Sequence, residues 1–142
     1  MDLNYIVLLM HTRIKATHTR ARSGAWLLLI CLAGWLMPGA GHLILGKRKG
    51  VVLLLVLCAM YTMGLALEGR LYQFQTAQPL NWVYAVGGHA LGVPYVVART
   101  LGYGTGRVDA LTFEYGDTYL AVAGLLNLLV ILDAFDIATG RK

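Results

Sequence analysis

The sequence predicts an all-α integral membrane protein of three to four transmembrane helices. Three observations carry that expectation. Four apolar stretches, over residues 25–46, 51–67, 81–102 and 118–138, fill more than half of the 142 residues. Only 13% of the residues are charged, against roughly 25% in an ordinary soluble domain. The polar segments between the stretches are short. At a rise of about 1.5 Å per residue, ~17–25 apolar residues cross a hydrocarbon core of about 30 Å. A single helical membrane domain over residues 25–142 is expected, behind a basic arm over residues 1–24.

The net charge of +5 invites a nucleic-acid reading, but its distribution argues otherwise. Arg13, Lys15, Arg20 and Arg22 precede the first apolar stretch, and Lys47, Arg48 and Lys49 separate it from the second. Basic residues at the ends of apolar segments meet anionic headgroups and set orientation. Membrane lipids are therefore the expected partners, and neither nucleic acid nor nucleotide is. Cys31 and Cys58 lie inside apolar stretches, where cysteine packs as a small hydrophobe. No Cys/His spacing calls for a metal.

The arm begins with an apolar run over residues 5–10, too short to cross a bilayer. It suits an interfacial amphipathic helix or an arm laid on a partner. A signal peptide is not expected, because Pro38-Gly39-Ala40 is a poor cleavage site. The first apolar stretch is interrupted at Pro38-Gly39-Ala40-Gly41-His42. Proline removes a backbone donor and clashes with the preceding turn, and the glycines weaken the helix further. Broken backbone at membrane depth survives only where protein or water satisfies it.

Two topologies follow. If residues 25–46 cross despite the break, seven Lys and Arg residues lie inside and five outside. If the segment re-enters at Pro38-Gly39, nine lie inside and three outside. The positive-inside rule prefers the second.

Residues 51–67 form the cleanest expected span, with Gly64 the one glycine and no charge. Glu68-Gly69-Arg70 marks its exit, and Tyr72, Phe74 and Trp82 suit the headgroup level. Residues 81–102 read as a less regular span. There Gly88-x-x-x-Gly92 is a small-xxx-small spacing that lets another helix approach. Leucine at Gly88 or Gly92 is then expected to loosen a complex without unfolding the chain. Asp117 stands where an N-cap is wanted for a last helix over 118–138. Gly140, Arg141 and Lys142 make a conventional helix end.

Few residues suggest chemistry. Gly41-x4-Gly46-Lys47-Arg48 nearly matches a phosphate-binding loop, but Arg48 replaces the magnesium-binding hydroxyl and no strand precedes it. His42 and His89 are candidate axial ligands for haem or chlorophyll, or proton-relay groups. His89 is the better candidate, lying mid-segment among glycines. Asp133 and Asp136 share one face of the last helix, near a C-terminus that disfavours carboxylates. They are expected to pair with Arg141, Lys142 or the basic run at Lys47. Asn127, three residues after Gly124, reads as an interhelical hydrogen-bond site. No serine or cysteine stands beside a base, so no enzyme is expected.

Pro38-Gly39-Ala40-Gly41-His42-Leu43-Ile44-Leu45-Gly46-Lys47, with Gly50 beyond, resembles the short Gly-His…Leu-Gly-Lys signature of TM2-type bacterial membrane proteins. Three further motifs follow in order. They are Glu114-Tyr115-Gly116-Asp117-Thr118-Tyr119-Leu120, Ala123-Gly124-Leu125-Leu126-Asn127 and Leu132-Asp133-Ala134-Phe135-Asp136. Together they resemble a bacterial membrane family, the domain of unknown function numbered 6677, over residues 25–142. The resemblance implies a fold type and defining positions, among them Pro38, Gly39, Gly41, His42, Gly46 and Lys47. It implies no catalytic residue and no cofactor.

The expected protein is a multi-pass resident of the bacterial inner membrane with a cytoplasmic N-terminus. Its expected role is a non-catalytic accessory subunit packed against other integral membrane subunits, with bound lipid. The alternatives are a pigment- or haem-binding subunit on His89 or His42, and a small transporter or lipid-handling protein built on the broken segment.

Overall fold

The computed structural model describes residues 24–74 and 78–142. The basic arm, apart from Gly24, lies outside the described residues, and so does its interfacial reading. Among the described residues the chain is all-α. Its helices are α1 (Gly24–Leu36), α2 (Ala40–Ile44), α3 (Lys49–Ala66), α4 (Pro79–His89), α5 (Val93–Thr100) and α6 (Phe113–Thr139).

Two helices, α3 and α6, are long and apolar enough to cross a membrane. At the helical rise they measure about 27 Å and 40 Å. They run antiparallel: Gly64, late in α3, lies against Gly116 and Leu120, early in α6. The other helices pack around α6 in two hairpins that enter from opposite ends.

The first hairpin is α1–α2. Ile30 of α1 clusters with Ala134 and Ala138 near the C-terminus of α6, and Gly34 meets Ile131 further up. The chain then reverses at Pro38-Gly39. Helix α2 descends along α1, bringing Gly41 against Ile30 and Ala134, and Leu45 against the Ile30 cluster. The first apolar stretch therefore doubles back, and Lys47 to Lys49 return to the end where α1 began. Gly39 makes the reversal at φ 80°, and a Cβ there would overlap the Gly50 carbonyl.

The second hairpin corrects an expectation. Residues 81–102 do not form one long helix. Helix α4 stops at His89, Gly92 takes φ 58°, and α5 starts again with Pro94 in its first turn. Helix α4 enters from the end where α6 begins, and Gly87 lies on Ala121 and Gly124 of α6. Helix α5 turns back, with Tyr95 against Gly88 and His89. Among the described residues, long apolar helices thus number two where the sequence suggested three or four. Glycine and proline at Gly92 and Pro94 overrode an apolar composition that suits a full span.

A second correction concerns Asp117. Helix α6 starts five residues earlier than expected, at Phe113, so Asp117 is inside the helix and caps nothing there. Its carboxylate instead accepts from the backbone N–H of Arg70 (2.6 Å) and the hydroxyl of Tyr72 (2.7 Å). That ties the chain leaving α3 to the first turns of α6. At the other end, Gly140 closes α6 in the left-handed conformation (φ 77°), as a helix C-terminus requires.

Candidate functional site

The two hairpins meet tip to tip at the middle of α6, and Asn127 is the residue between them. In an uninterrupted helix the carbonyl of Gly34 would accept from the N–H of residue 38, and that of Ala90 from residue 94. Both positions are proline, which has no N–H. Asn127 Nδ2 donates to both orphaned carbonyls, at 3.1 Å to Gly34 and 2.8 Å to Ala90. One amide group thus supplies the two donors that two prolines removed. Its side chain is fully buried, where an unpaired carbonyl is costly.

Further bonds close the junction. Trp35 Nε1 donates to the His89 carbonyl at 3.0 Å, stitching the end of α1 to the end of α4. Gly92 lies directly on the Trp35 carbonyl, leaving no room for a side chain. The backbones of α4 and α6 also touch: a Cβ at Gly124 would overlap the Gly87 carbonyl.

This geometry corrects the reading of Gly88-x-x-x-Gly92 as one helix face. Gly88 faces its own hairpin partner, Tyr95, and Gly92 is outside both helices against α1. The glycine that admits α6 is Gly87. Leucine at Gly92 would collide with Trp35 and break the fold rather than loosen a complex.

At the end where α6 finishes, His42 is almost completely enclosed at 2% exposure. Its Nε2 lies 3.0 Å from one oxygen of Asp133, and Lys142 bonds the other. That bond holds the Lys142 ammonium above the usual lysine range. Asp136 faces Arg141 at 3.6 Å. The carboxylates therefore meet the C-terminal cations and a histidine, and not the basic run at Lys47. The sequence reading did not connect His42 to Asp133. The two are 91 residues apart, and only the reversal at Pro38-Gly39 carries His42 back to that level.

His89 occupies a different setting. Its Nδ1 donates to the Ala85 carbonyl at 2.8 Å, one turn back, and its ring sits between Tyr95 and Phe74 at 4.1 and 4.7 Å. Its Nε2 is the nitrogen left to accept or ligate. On His42, the nitrogen facing Asp133 is already engaged. The two histidines lie on different hairpins and do not form one site.

Tyr72 and Asp117 organise the opposite end. Burial, then the bond to Asp117, pushes the Tyr72 phenol well above its ordinary range, so it remains a donor. Tyr72 also stacks on Tyr84 of α4 with centroids 5.2 Å apart.

The arrangement is a pair of half-length hairpins, each followed by a long helix, and closed by backbone contact near the middle of α6. A family model described as a family of unknown function, DUF6677, matches residues 29–142, and the chain belongs to that family. No curated protein and no solved structure matches the chain.

Proposed function

We propose that this chain is a multi-pass integral protein of the bacterial inner membrane, serving as a non-catalytic subunit packed against larger membrane proteins. The observation that carries the membrane reading is an inside-out surface. Leu28, Leu32, Val52, Leu55, Leu80 and Leu129 are each more than half exposed, whereas His42, Asp117 and Asn127 are buried. In water such continuous apolar faces would associate. In a bilayer they are the solvated side.

At the hairpin tips the breaking residues Pro38, Gly39, Ala90 and Gly92 are buried by protein, which supports the reading because a membrane demands it of broken backbone. Nine of the twelve Lys and Arg residues precede α1, follow α2 or follow α6. Of these, Lys47, Arg48, Lys49, Arg141 and Lys142 lie toward one end of the bundle, and the excess of basic residues supports a cytoplasmic assignment of that end. The subunit reading is supported by a shallow apolar groove of about 730 Å³ between α1 and α6. Leu28, Leu32, Trp35 and Ile131 line it, and its chemistry suits a partner helix.

Alkaline carbonate extraction of native membranes tests the first part: the protein stays in the pellet if it is integral. Size-exclusion chromatography of a mild-detergent extract, with mass spectrometry and an absorption spectrum across the peak, tests the second. Co-elution with defined membrane proteins is expected. Visible absorbance on the protein would move the assignment to a pigment or haem on His89. Elution alone and colourless would overturn the subunit reading. The two oppositely inserted hairpins favour transport as the second reading, since such elements frame binding sites in transporters. Here the tips would have to separate first.

A further inference from the structure

Beyond the buried junction, the end of the bundle where α6 begins holds a cleft of about 510 Å³. It lies between the strand-like segment after α3 and the loop after α5. Backbone pairing holds these walls together: Leu71 N–H donates to the Gly104 carbonyl at 2.8 Å, and Arg70 pairs with Thr105. Two guanidiniums line the cleft, Arg70 and Arg99, together with Gln73, Asn81 and Tyr103. Among the described residues no carboxylate lines it.

The arginines are positioned rather than loose. Arg70 Nε donates to the Thr105 carbonyl at 3.2 Å, and the guanidinium lies 6.0 Å from the Tyr72 ring centroid. That leaves both terminal nitrogens of Arg70 without a bond among the described residues. Arg99 Nη1 donates to the Tyr95 hydroxyl at 2.9 Å, and with the Gln73 amide turned oxygen-inward both Arg99 terminal nitrogens also donate to that oxygen. Neither arginine forms an ion pair among the described residues. The acids of this end are engaged elsewhere or outside the cleft. Asp117 bonds Arg70 N–H and Tyr72, Asp109 faces Arg107, and Glu68 and Glu114 do not line it.

We propose that this cleft binds a phosphate-type oxyanion through Arg70 and Arg99. The two terminal nitrogens of Arg70 match an anion with several oxygens, Arg99 adds its charge and its remaining N–H groups, and Asn81 and Tyr103 offer neutral partners for ester or hydroxyl groups. Tyr103, largely exposed, lines the cleft with aromatic surface. The anion is either a free phosphate or the headgroup of an anionic phospholipid. The lipid source alone rests on the membrane reading.

The test uses the full chain purified in non-ionic detergent, so it does not depend on membrane extraction behaviour. Inorganic phosphate, short-chain phosphatidylglycerol and short-chain phosphatidylcholine are titrated by calorimetry. Arg70 and Arg99 are also probed with phenylglyoxal and read by peptide mass spectrometry. Phosphatidylglycerol preferred over phosphatidylcholine by about tenfold or more, with both arginines protected, is expected for a headgroup site. Phosphate protecting both arginines without a lipid preference supports the free-anion source. In either case Arg70→Gln with Arg99→Gln abolishes the binding. The protection assay on the unaltered protein stands even if that double variant fails to fold. Equal modification of both arginines with and without every probe overturns the proposal. So does a lipid preference that survives the double variant or disappears in Lys47→Gln with Lys49→Gln.

Discussion

The two hairpins use the same construction with different surroundings. Each is a helix ended by a break, with a proline four residues after the carbonyl it orphans: Gly34 with Pro38, Ala90 with Pro94. Each orphaned carbonyl is satisfied by the same side chain, Asn127. Their outer portions differ. The α1–α2 hairpin is locked to α6 by His42, Asp133 and Lys142. The α4–α5 hairpin opens beside a cleft lined by two arginines, with no carboxylate in its lining among the described residues. The difference teaches that the buried tips have a structural task in common. Any distinct activity belongs to the ends, where the hairpins stop resembling one another.

The comparison breaks most severely at the backbone contact of the second hairpin. Gly124→Leu drives a side chain into the Gly87 carbonyl and is expected to cost about 4 kcal/mol or more, or to abolish folding. A detergent melt followed by circular dichroism reads it. The matching change in Gly88→Leu meets only the Tyr95 ring, at ordinary contact distance, and is expected to cost far less.

Next in size is the shared residue. Asn127→Leu leaves two buried carbonyls without donors, a loss of about 2–4 kcal/mol. If both hairpins depend on Asn127, hydrogen exchange in the variant should rise at both tips together. Exchange rising in only one would show that the hairpins are not equivalent.

A smaller effect sharpens the proline argument. Pro38→Ala restores a backbone N–H four residues after Gly34. Combined with Asn127→Leu it is expected to recover about 1 kcal/mol of the loss. Additive behaviour of the two changes in a double-mutant cycle would defeat the idea that Asn127 replaces the missing proline donors.

The smallest effect is at the first hairpin's outer end. Asp133→Asn is expected to cost below about 1 kcal/mol, because the carboxylate is partly exposed and its attraction is screened. The same melt repeated in high salt should shrink even that difference.

Much of the fold was legible in the sequence because it rests on local chemistry. Apolar length predicts helices, Pro38-Gly39 predicts a break, and Gly140 predicts a stop. Each depends on backbone sterics or on the hydrophobicity of neighbouring residues. The candidate site was legible only in pieces. Asn127 stood out as a mid-helix amide and Asp133 and Asp136 as carboxylates needing partners, but no periodicity links residue 127 to residues 34 and 90. The spacing that could have revealed the link is Gly34 to Pro38 and Ala90 to Pro94, which pairs each break with the carbonyl it strands.

The tertiary structure alone decided three matters. It decided that the segment at Pro38 turns back, where Gly41 packs against Ile30 and Ala134. It decided that residues 81–102 form a hairpin, because Gly92 lies on the Trp35 carbonyl, a contact made between distant parts of the chain. And it moved Asp117 from an expected helix cap to a clasp on Arg70 and Tyr72. The physical reason is the same each time. Local sequence determines where the backbone can bend, but where its orphaned polar groups find partners depends on which distant helix arrives beside them.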